Sequence, residues 1–350
     1  MADVFAEDEP HLMVWVPGGP PGGDRGLPRD RPMGRAAARL AEAGVPVVFG
    51  DQLEDGTGTG VRVESGRWVD VKVPVVAVQD RYPSQGRAAR WEALHAAAKA
   101  AGIPVGNGRA LTLLCRDKLE CQAVLEQDPR LRLPPVSGEP AHFGALLERW
   151  GGGFLKPRYG ALGVGVGRVG PGDALPDRLP SVVDGLVDPP LLQWPVPPPS
   201  GFAGRVLRVL AQRTLDAEGT PGWHLLPPVL RDSVADPVVN AARGARVIPA
   251  EDDLSEDVLG DVRAQVLRVC ARLEAVGGDA FALELGVDLA LDADQQPWVL
   301  EVNSRSRGRL GVLARRWPDR FEAAHRAAMV RPLHTLWRWH GPDATPPSTG

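Results

Sequence analysis

The sequence predicts an α/β protein. Three observations predict it: strands and helices alternate through the first third, a hairpin carrying acids and an amide lies near the end, and a glycine-rich loop follows a strand ending in lysine. In the first third, Leu12 to Val16 reads as a strand, Met33 to Ala43 as a helix and Val45 to Phe49 as another strand. Gly60 to Val78 adds strands with turns at Glu64-Ser-Gly66 and Lys72-Val-Pro74, and the alanine-rich run Arg87 to Ala101 is a helix. The loop Pro17 to Gly23 is glycine-rich, but its prolines remove the amides a phosphate cradle needs, so it reads as a flexible connection. Farther on, Asp128 to Pro140 is a linker, Phe143 to Trp150 has helical spacing, and Ser255 to Val276 is a long amphipathic helix with Val258, Val262, Val266, Val269 and Leu273 on its core stripe.

The hairpin is the most informative stretch. Gly286 to Leu291 is an apolar run broken by Asp288, Asp292 to Pro297 is turn chemistry, and Trp298 to Val302 is a second apolar run containing Glu301. Alternate residues of a strand share a face, which places Asp288 with Asp292 and Glu301 with Asn303. Asp288, Glu301 and Asn303 offer hard oxygen donors of the kind that hold Mg2+ together with nucleotide phosphates. The alternative is a surface hairpin whose polar residues face water.

Upstream, Lys156 ends a strand that runs into a loop containing Gly160, Gly163, Gly165 and Gly167. Glycines let backbone N–H groups close on phosphate oxygens while the ammonium adds a point charge. A dinucleotide fingerprint fits poorly, because Val164 and Val166 read as strand residues and no helix signal follows. Lys118, at the start of a helix running to about Glu126, is a second available cation; alone it would be a solvated helix lysine.

In this order the pieces resemble the ATP-grasp superfamily of carboxylate-amine ligases, over roughly Leu111 to Leu310. The resemblance implies that Lys118 and Lys156 meet phosphates under a flap of Gly160, Gly163 and Gly165, that Gln193, Trp194 and Val196 form the adenine hinge, and that Asp288, Glu301 and Asn303 hold the metal. Gly204 to Arg213, Trp223, Arg231 and the segment from Asp236 through Asn240 and Arg243 to Gly244 resemble the YheC/YheD-type family, named for spore-coat-associated proteins. Gln79 to Pro83 resembles an element of that family's N-terminal domain, and related patterns occur in glutathione synthetases and RimK-type ligases. Arg208, Arg231, Asn240 and Arg243 are then the candidates on the catalytic, acceptor side. The chain departs from the pattern there: no Asp precedes Arg208 in the basic strand, Gly244-Ala245 replaces a double glycine, and no proline follows Asn303.

The same resemblance implies an ATP-grasp fold with a Rossmann-like pre-ATP-grasp domain over 11–110 and an ATP-grasp domain over 111–335. Its two α+β lobes, about 135–195 and 200–335, would sandwich ATP, with disordered tails at 1–10 and 341–350. The implied activity is ATP- and Mg2+-dependent ligation of a carboxylate to an amine, or to a thiol, through an acyl phosphate, with two Mg2+ ions or Mn2+ in their place. A binding protein without ligation and a peptide- or protein-modifying ligase are the alternatives.

Composition agrees with a globular enzyme. The chain has 350 residues, 43% of them hydrophobic, and a net charge of -4, which argues against a nucleic-acid partner. No apolar run is long enough to span a membrane, and the acidic N-terminus lacks the basic start of a signal peptide. Cys115, Cys121 and Cys270 have no metal-finger spacing, so a reducing, cytoplasmic setting is expected, with Cys115 and Cys121 packed as small apolar residues. The expected partners are a small-molecule or peptide carboxylate and an amine, and a homodimer is compatible with the sequence. Arg305 and Arg307 adjoin the metal motif, Arg315 and Arg316 read as a solvated helix face, and Trp337 and Trp339 either dock the C-terminal helix onto the body or contribute to a partner surface.

Overall fold

Alternate residues of a single short strand feed two different cores. In β1 (His11–Trp15), Leu12 and Val14 join a cluster with α1 (Pro32–Glu42), while Met13 and Trp15 join one on the opposite face. The computed structural model describes residues 6, 8–16, 32–64, 67–81, 88–160, 163–180, 187–240, 243–276, 282–304, 310–342 and 344. The loop at 17–23, Ser65 and Gly66, Tyr82 and Pro83, Arg305, Arg307 and Arg309, and most of the two expected tails lie outside them.

The first sheet contains β1, β2 (Val47–Glu54), β3 (Thr57–Glu64), β4 (Arg67–Gln79) and β5 (Val105–Gly106). β1 runs parallel to β2 and β4, and β5 parallel to β4, so the crossovers need helices; α1 and α2 (Ala88–Ala100) supply them on opposite faces. The β2–β3 hairpin turns on Asp55 and Gly56, both at positive φ (47° and 77°), the two-residue turn whose twist matches the strands. No turn forms at Lys72-Val-Pro74: β4 runs through it, and Pro74 sits at the end of the β3 ladder opposite Thr57, where its missing N–H breaks no interior rung.

A second sheet, in the order β6-β11-β7-β8, is built from β6 (Val136–Ser137), β7 (Gly153–Pro157), β8 (Gly167–Val169) and β11 (Pro190–Gln193). The short pair β9 (Leu179–Pro180) and β10 (Val187–Asp188) stands apart, and α5 (Pro140–Trp150) covers the sheet with Phe143 and Leu147 against Leu155 and Leu192. β6 occupies part of the expected linker, and Val164 and Val166 precede β8 in a turn rather than forming strand.

The largest sheet is antiparallel, in the order β15-β14-β12-β16-β17 with β13 on the other half of β12. Its strands are β12 (Gly204–Leu215), β13 (Pro221–Leu225), β14 (Val229–Ser233), β15 (Arg246–Pro249), β16 (Glu284–Leu291) and β17 (Pro297–Asn303). Odd-numbered residues of β12 and β16, from Leu207 to Ala211 and from Leu285 to Leu291, form the main core. They pack against the Val262, Val266, Val269 and Leu273 stripe of α6 (Glu256–Val276) and against α3 (Arg109–Arg116) and α4 (Lys118–Leu125). The two-turn helix α3, ending where Asp117 begins the next one, was not among the elements read from the sequence. α7 (Leu310–Arg316) leaves Arg315 and Arg316 exposed, although Arg316 also donates to the Val247 carbonyl at 2.8 Å. α8 (Pro318–His340) docks on the first sheet, with Leu333, Leu336 and Trp337 in its core and Trp339 buried.

Two buried polar groups join the first sheet to the last. Glu284 pairs with Arg81 at 3.3 Å and accepts from Gln212 at 3.1 Å; burial pushes its carboxyl up, opposed by the Arg81 charge. Asn107, at φ 59°, takes the Leu283 and Glu284 N–H groups on its amide oxygen (2.7 and 3.1 Å) and donates to the Glu284 and Ser304 carbonyls. Asn107→Ala removes these bonds and places a Cβ residue without a polar head in the left-handed region. It should lower unfolding free energy by about 3 kcal/mol in urea denaturation. Asn107→Gly, which relieves only the backbone, should recover a minor part.

Candidate active site

The even-numbered face of β16, away from the α6 core, presents Glu284, Gly286, Asp288 and Ala290. Across the ladder Asp288 faces Glu301 and Gly286 faces Asn303. The register shifts between Asp288 and Leu289, which pairs with Val299, so Leu300 is a bulged extra residue. That bulge lets both Val299 and Val302 enter the core while Glu301 and Asn303 stay on the Asp288 face. Asp292 does not join them. The strand ends at Leu291, and the Asp292 carboxylate instead accepts from the Asp294 and Gln296 N–H groups and from Trp298 Nε1, bracing the turn.

Asp288 is only 8% exposed and is held by two guanidiniums. Arg208, directly opposite on β12, donates through Nε at 2.8 Å and through Nη2, and Arg231 of β14 donates at 2.7 Å. Burial pushes the Asp288 carboxyl up, but the charges and hydrogen bonds of Arg208 and then Arg231 outweigh it and leave its pKa below the usual range. The same pairing, against burial, raises Arg208. Both arginines, expected to face an acceptor, are thus already engaged with a predicted metal ligand.

Lys156, on β7, is buried, and burial lowers its pKa to about 8; Glu301 and Asp288 oppose the fall and Lys118 adds to it. Lys118 and Glu301 line one small cavity, and Glu301 lies opposite Asp288 across the ladder. Lys118 Nζ donates to the carbonyls of Pro157 (3.3 Å), Arg158 (3.4 Å) and Gly160, at the base of the loop. Gly163 and Gly165 have φ of 74° and 70°, and a Cβ on Gly163 would come 2.9 Å from Asn240 Nδ2, so Asn240 lies against the loop. Arg243 is more remote: half its side chain is in solvent and it meets Asp236 at 3.5 Å.

At the end of β11, Gln193 is buried in the ladder and the Trp194 N–H donates to the Pro135 carbonyl at 2.8 Å. Pro135 has no N–H to return, which leaves the Trp194 carbonyl without the reciprocal antiparallel bond. Among the described residues no backbone bond uses the Val196 N–H either. The Trp194 ring packs on Trp298 at 5.4 Å between centroids.

Among the described residues there is no group of three or more His, Cys, Asp and Glu that could hold a metal. Asp288, Glu301 and Asn303 nevertheless fit an Mg2+ ion that takes its remaining oxygens from phosphate and water. Two carboxylates face each other across one ladder, and the Asn303 amide end is buried with no hydrogen-bond partner for Nδ2. Cys115 and Cys121 line a cavity of about 20 Å³ behind Glu301, too small for a nucleotide, and hydrogen bonding between them, followed by burial, raises Cys115. They are packing residues. Sequence reasoning missed Asp117 and Arg158, which pair bidentately beside the lysines; their places next to Lys118 and two residues after Lys156 are the signal that was available.

Residues 207–314 match the family model described as YheC/D like ATP-grasp. No curated protein sequence matches the chain. Among solved structures, the chain is similar to D-alanine–D-alanine ligase from Bacillus anthracis complexed with ATP, at 12% identity, TM-score 0.55, over 95% of this chain and 98% of that one. It is similar to a RiPP-associated ATP-grasp ligase from Chryseobacterium gregarium, in complex with ADP and a leader and core peptide, at 10% identity, TM-score 0.54, over 92% and 96%. A third is the ATP-grasp ligase PsnB complexed with minimal precursor, Mg and ADP, at 15% identity, TM-score 0.54, over 92% and 97%. The fold is that of the ATP-grasp ligases.

The buried Lys156 makes stability depend on pH. Below about pH 8 the folded chain carries its ammonium at a desolvation cost; above it the folded lysine is neutral while the unfolded one, near 10.5, still binds a proton. Stability therefore rises with pH between about 8 and 10.5 from this group, by up to about 3 kcal/mol. Lys156→Met should lack that rise when urea midpoints of parent and variant are compared across the window.

Proposed function

We propose that this protein is an ATP- and Mg2+-dependent ligase that activates a carboxylate as an acyl phosphate and joins it to an amine. The observation that carries the reading is that Asp288 faces Glu301 across one ladder, Glu301 shares a cavity wall with Lys118, and Lys118 reaches the carbonyls that directly follow Lys156, in an ATP-grasp fold.

In this reading Lys118, Lys156 and the N–H groups around Gly163 and Gly165 take the phosphates, with Gly160 at the loop base. The Trp194 carbonyl and the Val196 N–H read the adenine edge, and Gln193 fixes the strand that presents them. A divalent ion on Asp288, Glu301 and Asn303, one or two Mg2+ or Mn2+ in their place, would supply Lewis-acid neutralisation of the transferring phosphoryl group. With Asp288 as a ligand of that ion, Arg208 and Arg231 would have charge to offer the acceptor carboxylate and the tetrahedral oxyanion. Asn240 supports the loop over the phosphates, and Arg243 is a candidate for the outer part of the acceptor site.

The acceptor is a small-molecule or peptide carboxylate; both kinds of ligase share this fold, and the residues here that face it are arginines, which suit either. A pure binding role would not need two cations and two carboxylates arranged for phosphoryl transfer. No helix among the described residues is long and apolar enough to cross a membrane.

The test is Mg2+-dependent ADP release with pooled amino acids, short peptides and cell extract, using hydroxylamine as a trap. The parent should form a hydroxamate whose mass names the carboxylate. Glu301→Ala should lower kcat by about three orders of magnitude with the fold intact, because the carboxylate acts mainly in the transition state. Full ATP turnover by that variant would sink the reading.

A further inference from the structure

Lys118 Nζ donates to the carbonyl of Pro157, the residue after Lys156, and the two like charges repel, adding to the effect of burial in lowering the Lys156 pKa. They come from separate elements, α4 and the end of β7, so something must hold those elements at a fixed distance. Arg158 Nε and Nη2 each lie 2.7 Å from the two Asp117 carboxylate oxygens, a fork-to-fork pair. Asp117 immediately precedes Lys118, and Arg158 follows Lys156 by two residues.

Both partners are anchored in their own elements. Asp117 caps α4, accepting from the Leu119 and Glu120 N–H groups at 3.1 and 3.3 Å. The Arg158 N–H donates to the Pro189 carbonyl at 3.0 Å, and the Arg158 carbonyl accepts from the Lys118 N–H at 3.3 Å. A weaker contact to Glu120 at 3.5 Å and the face of Tyr159 at 5.3 Å fix the guanidinium plane. The Arg158 and Asp117 side chains are 26% and 15% exposed, so solvent screens the pair and limits its part in global stability. Its effect is on geometry, where a displacement of about 1 Å in a phosphate-binding cation is felt strongly.

We propose that Asp117 and Arg158 form a positioning clasp that sets the spacing of Lys118 and Lys156, and so governs affinity for the triphosphate but not for the nucleoside. This rests on the nucleotide-binding reading above. The variants separate clasp from cap: Asp117→Asn keeps a good helix cap and loses the charge, Arg158→Lys keeps the charge and loses the fork, and Arg158→Ala loses both.

The measurement is equilibrium affinity for ATP with Mg2+, and for adenosine by displacement of a fluorescent nucleotide, in the full-length parent, the single variants and the Asp117→Asn/Arg158→Ala double variant. Each single variant should bind ATP about tenfold more weakly, which corresponds to about 1.4 kcal/mol. The double should lose no more than the Arg158→Ala single, and adenosine affinity should stay within about twofold throughout. Equal losses for ATP and adenosine would reduce the pair to general support of the lobe and overturn the clasp, as would additive losses or undiminished ATP binding by the variants. A parent that binds no ATP would instead overturn the nucleotide reading, and the clasp with it.

Discussion

The site depends on one buried carboxylate. Asp288 sits in the middle of the largest sheet, and its charge is sustained only because Arg208 and Arg231 reach it from two other strands. Removing one partner from such a group typically leaves several kcal/mol of uncompensated charge, comparable with the whole stability of a domain. The pairing therefore also fixes register. A one-residue slip of β12 would set Leu207 or Val209 opposite Asp288 and turn the core-facing residues outward.

The same strand carries the junction between the halves of the protein. Four residues before Asp288 and on the same face, Glu284 meets Arg81, two residues past the end of β4, and Gln212 from β12, and Gln212 in turn donates to the Ala328 carbonyl of α8 at 2.7 Å. Asn107 holds the backbone of the same strand end and the Ser304 carbonyl just after β17. The first sheet is thus tied to the strand that carries Asp288. A junction of this kind suits a site whose cations and carboxylates come from six separate strands and helices.

The parts that were legible in the sequence are those set by local rules. The hairpin at 286–303 was readable because turn chemistry separates two apolar runs, and the α6 stripe because its period is that of a helix. Parity within a strand placed Glu301 with Asn303 correctly but failed for Asp292, since it holds only as far as the strand, which ends at Leu291. The bulge at Leu300 was hidden for the same reason: Val-Leu-Glu-Val breaks strict alternation, and only the ladder shows which residue is extra. Lys72-Val-Pro74 misled because a proline at the end of a ladder is as acceptable as one in a turn. The engagement of Arg208 and Arg231 with Asp288 was not legible at all, because it is a relation between strands far apart in the chain, and nothing local distinguishes an arginine that meets a substrate from one that meets an acid.

Under the proposed ligase reading, charge also links those arginines to the nucleotide even while they hold Asp288. Among the described residues the site gathers four cations, Lys118, Lys156, Arg208 and Arg231, around two carboxylates, Asp288 and Glu301, and so carries an excess of two positive charges when Lys156 is protonated. ATP with one Mg2+ carries about two negative charges at neutral pH, so that complex would neutralise the space without any group being expelled. Replacing either arginine by an apolar residue would leave Asp288 underpaired and the excess smaller, while an added lysine would overfill it. The excess also falls as Lys156, whose burial lowers its pKa to about 8, loses its proton.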